Sequence, residues 1–281
     1  PISLTWRSLS ASRWIASLHL TKKKTRTTTM NPRITHSHKT ERGAATIMDI
    51  ARMVMLAVVL VGVSLLAPSR IMASENHLSK YPTKGVVNSL VILIDFPDRT
   101  FSGDIDQRKY FEDFLMKPGF NDLGSYGSVH DYFIDNSMGV FDPRFDVFGP
   151  ITMKDSVAHY GSNGISGNDR HPHEMVLQAC LQLDEEIDFS KYDNDQDGYI
   201  DEVHIIFAGA GENASKEEDD IWPHSGSVIS AYKRVYWFDG IILDKYTCTS
   251  ELYNGKKDGI GVFCHEFCHA LGLHDVYKSN N

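Results

Sequence analysis

The residues best suited to chemistry lie near the C-terminal end of the sequence. The segment from His265 to Asp275 has the pattern H-E-x-x-H-x-x-G-x-x-D. Histidines four positions apart lie on the same face of a helix, so His265 and His269 can bind one tetrahedral zinc ion. Glu266 lies beside such an ion and can take a proton from the attacking water. The pattern therefore predicts a hydrolytic zinc site with its own catalytic carboxylate.

The end of this helix predicts the third metal ligand. Gly272 can adopt the left-handed backbone conformation that ends a helix and returns the chain towards the metal. Asp275 is then the preferred third ligand, because in extended motifs of this kind that ligand falls three residues after the glycine. His274 is the alternative, since imidazole is also a good zinc ligand.

The surrounding sequence predicts the helix that must position these side chains. Asp258 is placed to cap its N-terminus. Apolar residues recur at helical spacing, so we expect them to be buried and the metal-binding face to open into a cleft. The simpler alternative is an ordinary amphipathic helix with two incidental histidines. The apolar positions are Ile260, Phe263, Cys264, Phe267 and Leu271.

A second chemically promising segment is acidic. Carboxylates at alternate positions are followed by glycine, in the D-x-D-x-D-G pattern that wraps oxygen ligands around Ca²⁺. It is not a complete EF-hand, because position twelve is His204 and we expect a strand, not a helix, to follow. We predict a structural calcium here, with a solvated acidic turn as the alternative. The predicted ligands are the side chains of Asp193, Asp195 and Asp197, the carbonyl of Tyr199, and Asp201 or Glu202 to complete the shell.

Together these motifs resemble the M6 family of secreted metallopeptidases, the immune inhibitor A group, which uses aspartate as third zinc ligand. The resemblance covers roughly Val86 to the C-terminus. The matching segments occur in the family's order: Leu90–Phe96, Gly127–Phe133, the acidic loop at 193–201, Ile221–Ser225 and the zinc motif.

The resemblance implies a zincin-like catalytic domain that cleaves proteins or peptides outside the cytoplasm. His265, His269 and Asp275 would hold Zn²⁺, with Glu266 as the base. The chain stops at Asn281, six residues after Asp275. We therefore expect the lower subdomain of a zincin to be missing from this sequence.

Predicted elements mix strands and helices without a repeat, which indicates an α/β or α+β fold. The resemblance implies a twisted sheet backed by helices, with the zinc helix packed beneath. A strand within Ile241–Thr249 is expected to align the substrate by β-pairing. Other predicted strands cover 86–94, 140–153 (broken at Pro143 and Pro150) and 203–208, and predicted helices cover 108–116, 128–135 and 173–186.

The N-terminal part of the chain is separate from the predicted fold. Residues 53–67 are apolar, which suits the core of a signal peptide better than a membrane-spanning helix. We predict a signal peptide at 48–74, with an uncleaved anchor as the alternative. Residues 1–47 are interpreted as a non-native or disordered upstream segment, or else a genuine basic extension. The predicted peptidase domain is 84–281.

Composition restricts the class of protein. The chain has 281 residues, 42% of them hydrophobic and 23% charged, which is typical of a globular protein and not of a disordered one. Its net charge of −9 argues against a nucleic-acid surface. Once the signal is cleaved, we expect no stable membrane association. The four cysteines are expected to be buried thiols, and His224 a hydrogen-bonded structural histidine in preference to a metal ligand.

The predicted function is that of a secreted zinc-dependent metalloendopeptidase, a hydrolase acting on peptide bonds. The alternative from another class is a secreted, calcium-stabilised binding or surface module with a structural or vestigial zinc site. Glu266 favours the enzyme, because a purely structural zinc site has no use for a carboxylate beside the water. A metal-dependent hydrolase or amidase of another kind is opposed by the family resemblance alone.

Overall fold

The computed structural model describes residues 81–275, so the predictions for 1–47 and 48–74 lie outside the described residues. The strands are β1 (Gly85–Asp95), β2 (Phe141–Thr152), β3 (Val203–Ala210), β4 (His224–Ser227), β5 (Tyr236–Phe238), β6 (Ile241–Leu243), β7 (Lys245–Tyr253) and β8 (Lys256–Lys257). The α-helices are α1 (Gln107–Met116), α2 (Val129–Asn136), α3 (Val157–Gly161), α4 (Pro172–Gln182), α5 (Glu212–Ser215), α6 (Val228–Tyr232) and α7 (Ile260–Ala270).

Most of these strands form one mixed sheet. Its order within residues 81–275 is β2-β1-β3-β7-β4, with β8 paired to the far end of β7. The first four strands of this order are mutually parallel, whereas β4 runs antiparallel to β7. Strands β5 and β6 make a separate antiparallel pair. The predicted mixed α/β fold is confirmed.

The sheet is covered on both faces, which explains why β1 reads as an uninterrupted apolar run. Residues Leu90–Ile94 are fully buried. Alternate side chains of a strand point to opposite faces. Leu90, Ile92 and Ile94 pack into one hydrophobic cluster with helices α3 and α4, while Val91 and Leu93 join another with α1, α2 and α7. Helix α7 and the pair α3 and α4 therefore lie on opposite faces of the sheet.

Strand β2 differs from its prediction. The sequence suggested breaks at Pro143 and Pro150, but β2 is continuous from Phe141 to Thr152. It is the edge strand beside β1, where a proline without an N–H leaves no neighbouring carbonyl unpaired. The pairing register shifts between Ile92 and Ile94, opposite the second proline. The edge position explains why both prolines are tolerated.

Two helix predictions can be compared with the structure at their ends. Helix α2, predicted to cover 128–135, is capped by Ser128, which forms a reciprocal capping box with Asp131. Helix α4 is shorter than predicted and ends at Gln182 instead of Glu186. The N–H of Leu183 turns back to the carbonyls of Ala179 and Cys180, and Leu183 and Ile187 are both buried. Burial of these two side chains redirects the chain onto the core.

Helix α7 packs beneath the sheet as expected. Phe263, Cys264 and Phe267 are buried, and the ring of Phe263 stacks on that of His204 with centroids 3.9 Å apart. The predicted cap at Asp258 is wrong, because Gly259 occupies the N-cap position and Ile260 begins the helix. The N–H of Asp258 instead bonds to the carbonyl of Glu251, 2.8 Å away, which keeps it outside the helix. Within the described part of the chain, no helix has the length and apolar character needed to span a membrane.

Candidate active site

The three predicted zinc ligands come together in the structure, and we call His265, His269 and Asp275 the zinc cluster. Oδ1 of Asp275 lies 3.2 Å from Nε2 of His265 and 3.5 Å from Nε2 of His269. Zinc with bonds of about 2.0–2.1 Å in a tetrahedron separates its ligand atoms by about 3.3–3.4 Å. The donor types and their spacing therefore fit a tetrahedral zinc ion.

The turn after α7 brings Asp275 to the histidines. Gly272 has a φ of 85°, in the left-handed region. Its N–H bonds to the carbonyl of His269 and that of Leu273 bonds to the carbonyl of Cys268, both at 3.0 Å. These two bonds are those of a Schellman motif, which satisfies the last carbonyls of the helix and reverses the chain. The predicted role of Gly272 is thus visible in its backbone geometry.

A backbone carbonyl fixes the orientation of His269, which the sequence did not reveal. Nδ1 of His269 lies 2.8 Å from the carbonyl oxygen of Leu273. A carbonyl can only accept, so Nδ1 carries the proton and Nε2 presents its lone pair to the cluster. A backbone carbonyl has no side-chain signature. Only the position of Leu273 just after Gly272 could have suggested it.

Glu266 is placed differently from its neighbours on the helix. Its side chain points inward and only 6% of the residue is exposed, while His265 lies at the surface. Burial raises the pKa of the Glu266 carboxyl, an effect that His269 and His224 oppose and Asp275 reinforces. A carboxylate whose pKa is raised is a stronger base, as general base catalysis requires.

The zinc cluster borders a large cavity. A space of about 710 Å³ is lined by the His269–Gly272 turn, by Ser225–Ser227 of β4 and by Lys245–Thr247 of β7. A second cavity of about 580 Å³ lies beside it and shares Ser225, Gly226 and Tyr246. Strand β4 is therefore common to both cavities, which gives an extended groove the scale of a peptide site.

The prediction that a strand within Ile241–Thr249 aligns the substrate by β-pairing is wrong. Ile241–Leu243 pairs with β5. Lys245–Cys248 pairs with β4 on one side, and most of it also pairs with β3 on the other. Their backbone groups are thus used within the protein. In the described part of the sheet, β4 is the outermost strand at this end, and its residues line the groove.

His224, at the start of β4, has the contacts of a structural histidine. Its Nδ1 lies 2.6 Å from the carbonyl of Trp222, and its Nε2 lies 3.0 Å from the hydroxyl of Tyr246. The thiol of Cys248 is 3.3 Å from Nδ1. These contacts tie the edge strand to β7. His224 is also close enough to Glu266 to influence its pKa, a proximity that no sequence pattern indicated.

The acidic loop places three of its predicted ligands together. We call Asp193, Asp195 and Asp197 the acidic cluster. Their carboxylate oxygens lie within 4.8 Å of one another. Asp201 is not one of this group: its Oδ2 accepts from both the backbone and the side-chain N–H of Asn194. Burial is the main cause that raises the pKa of Asp201 to about 7.

Glu202, the alternative residue to complete the calcium shell, and the four cysteines lie in other parts of the structure. Glu202 is buried against Thr247 and His204, away from the acidic cluster. The four cysteines, Cys180, Cys248, Cys264 and Cys268, are free thiols. Cys268 packs against the core beneath α7, and burial raises its pKa, so a neutral thiol is favoured there.

The family resemblance is confirmed by comparison with known proteins. Residues 79–281 match the family described as the catalytic domain of immune inhibitor A peptidase M6. This match covers well over half of the chain, and the chain belongs to that family.

Two known proteins are similar to this chain in sequence. The chain is 26% identical over 235 residues to immune inhibitor A of Bacillus thuringiensis subsp. alesti, covering 68% of this chain and 33% of the relative. It is 25% identical over 232 residues to the pre-pro-metalloprotease PrtV of Vibrio cholerae serotype O1, covering 68% of this chain and 25% of that protein. The chain thus spans a third or less of the length of these relatives.

Proposed function

We propose that this protein is a zinc-dependent metalloendopeptidase. The observation that carries the proposal is the convergence of His265 and His269 on one oxygen of Asp275, at 3.2 and 3.5 Å, next to the buried carboxylate of Glu266. Membership of the M6 peptidase family supports it, as does the word metalloprotease in the name of the Vibrio relative. The proposed substrates are proteins or peptides.

The zinc cluster and Glu266 have separate tasks in this mechanism. His265, His269 and Asp275 would hold a zinc ion, which would supply a Lewis acid to polarise the scissile carbonyl and lower the pKa of water to about 7. Glu266 accepts a proton from the attacking water and then donates it to the leaving amine, so that one carboxyl serves first as base and then as acid. Burial of Glu266 raises the pKa of its carboxyl and limits the access of bulk water to it. His269 is held ready by its bond to the Leu273 carbonyl.

Strand β4 is the proposed site of substrate alignment. An extended peptide can add to an exposed strand edge through main-chain hydrogen bonds. In the described residues β4 terminates the sheet, and its Ser225 and Gly226 line both cavities, the larger of which is also lined by His269. Gly226 has no room for a side chain, because a Cβ there would lie 2.4 Å from the ring of Tyr246. Glycine at this position thus lets the Tyr246 ring lie directly against β4.

Glu266→Gln tests the proposal directly. The amide keeps the size of the side chain but cannot take a proton, so turnover should fall by several orders of magnitude. Zinc content, measured by mass spectrometry, should stay unchanged. Glu185→Gln, at an exposed position, serves as the matched control and should leave both values unaltered. Peptide cleavage by the Glu266 variant at the unmodified rate would refute the mechanism.

A secreted binding module with a structural zinc is the competing function. It predicts zinc binding with no cleavage of any peptide in a fluorogenic library, and no effect of Glu266→Gln on any measured property. The inward position of Glu266 favours the peptidase, because a structural site would leave that carboxyl buried without use.

We also propose that the acidic cluster binds a structural calcium and that the protein is exported. Three carboxylates within 4.8 Å of one another repel unless a cation lies between them, which supports the first proposal. The apolar segment at 53–67 supports the second. Expression in a bacterial host followed by N-terminal sequencing should give a mature end near Ser74 or Glu75. Retention of Met48 would contradict export by signal cleavage.

A further inference from the structure

A third group of potential metal ligands lies on the opposite face of the sheet from α7. Asp155 precedes helix α3, His159 lies within it, and Glu174 lies in the first turn of α4. Ligand atoms of these three residues all lie within 4.8 Å of one another. We call them the α3–α4 cluster. The surrounding core, with Val157 and Val176, is separate from the one that supports the zinc cluster.

His159 has an unusual environment for a partly exposed histidine. Its Nε2 is shielded from solvent and forms no hydrogen bond in the structure. The same nitrogen lies 3.4 Å from Oε2 of Glu174, whose other oxygen accepts from the side-chain amide of Gln178 at 2.9 Å. A shielded nitrogen without a hydrogen bond is destabilising unless something binds to it. Glu174 is held in place while its Oε2 faces this nitrogen.

A neighbouring histidine keeps the site compact. The ring of His171 stacks on that of His159 with centroids 4.8 Å apart and an angle of 12° between planes. Nδ1 of His171 lies 3.7 Å from the same Oε2 of Glu174. A neutral imidazole is the form that binds metal.

We propose that the α3–α4 cluster is a further metal site, which binds a divalent transition-metal ion of the zinc class. One imidazole and two carboxylates form a nitrogen and oxygen ligand set that suits zinc better than calcium or magnesium, which take oxygen alone. The 3.4 Å between His159 and Glu174 matches the edge of about 3.3 Å expected for a tetrahedral zinc site. Both side chains are partly exposed, so the site lies near the protein surface.

The position of the site indicates what the metal does. His159 and Glu174 stand at the two ends of the loop that joins α3 to α4, and the N–H of His171 already bonds to the carbonyl of Tyr160 at 3.1 Å. Loop residues Gly167, Asn168 and Asp169 line the 580 Å³ cavity beside β4. An ion held by both helices would clamp the ends of this loop. The metal would thus stabilise one wall of the groove without touching the zinc cluster.

Zinc binding to the chain tests the proposal in a background without the zinc cluster. His265→Gln with His269→Gln should still bind one zinc per chain in equilibrium dialysis at micromolar metal. Adding Glu174→Gln should remove that ion. His130→Gln is the matched control, because His130 also pairs with a carboxylate, Asp142 at 2.8 Å, and should leave zinc binding unchanged. This test does not depend on the proposed peptidase activity.

Protection of the loop provides a second measurement. In the same background, zinc should slow hydrogen exchange or proteolytic cleavage within residues 162–170, and Glu174→Gln should abolish the effect. Asp155→Asn should act in the same direction, which guards against misfolding of a single variant. The proposal is overturned if the background chain binds no zinc, or if bound zinc is insensitive to both substitutions.

Discussion

The zinc cluster and the acidic cluster are both built from short continuous segments, but their ligand atoms are held in different ways. In the zinc cluster, the turn at Gly272 and the carbonyl of Leu273 fix the geometry, and Nε2 of His269, which faces Asp275, takes no part in these bonds. In the acidic cluster, the prospective ligands organise the loop themselves. Both oxygens of Asp193 accept backbone N–H bonds, from Asp197 and Gly198 at 3.0 Å.

This difference has consequences for stability. The backbone around the zinc cluster should keep its shape without metal, because its bonds involve no metal-binding atom. The acidic loop uses its carboxylates for folding and, as proposed, for calcium as well. A carboxylate oxygen has two lone pairs and can do both. Removing acids from the loop therefore removes prospective ligands and alters the loop conformation together, whereas a change at the helix end keeps all three ligand side chains and alters only the backbone that positions them.

The largest effect is expected for calcium. Binding to the folded state raises stability by about 2.7 kcal/mol when calcium is present at about 100 times its dissociation constant, which corresponds to several degrees in Tm. Asp195→Ala with Asp197→Ala should abolish this calcium-dependent increase, measured by calorimetry with and without chelator.

The control for that experiment removes the same charge elsewhere. Asp184→Ala with Glu185→Ala changes two exposed acids and should retain the full calcium response. Equal melting temperatures for the unmodified chain in calcium and in chelator would show that the acidic cluster is a solvated turn.

A smaller effect is expected at the end of α7. Gly272→Ala should destabilise the protein by about 1–2 kcal/mol, because an L-residue is strained in the left-handed region. A Cβ at this position meets no atom within 4 Å, so the cost is backbone strain and not a clash. Zinc affinity should fall with stability, while the calcium response stays intact.

Gly261→Ala is the matched change in the same helix. Its Cβ also meets nothing within 4 Å, but its backbone is helical, so alanine should stabilise the protein by about 0.5–1 kcal/mol. Urea unfolding of both variants measures the difference. Equal effects of the two substitutions would contradict the role assigned to the turn.

A pH-dependent effect is expected at Asp258. Burial raises the pKa of Asp258 to about 6, although an N–H from Gly259 opposes the shift, and its Oδ2 has no hydrogen-bond partner. A carboxyl whose folded pKa is raised contributes its stability below the unfolded pKa of about 3.9 and loses it as pH rises through about 6. Asp258→Asn should therefore gain stability relative to the unmodified chain between pH 4 and about 7.

Urea unfolding at three pH values would measure this change. Zinc affinity should not change, since the helix N-terminus is remote from the ligands. A stability difference that is constant with pH would show that Asp258 has an ordinary pKa in the folded protein.

Elements with strong periodicity were predictable from the sequence. Strand β1 and helices α1 and α2 match their predictions closely, because their apolar spacing and caps are local signals. The errors occur where tertiary position overrides local preference. Pro143 was read as a strand breaker, yet an edge strand tolerates it. Asp258 was read as a cap, yet its N–H is held by Glu251.

The sequence by itself determined the zinc cluster, since one helix turn and one glycine turn fix the spacing of ligands that are at most ten residues apart. Helical periodicity converts such spacing directly into geometry. The sequence could not reveal that β4 is the sheet edge, because strand order depends on which segments pair across long distances in the chain. Only the packing of α3 against α4 brings Asp155 and His159 to Glu174. That cluster follows from tertiary structure because no local rule relates residues on separate elements.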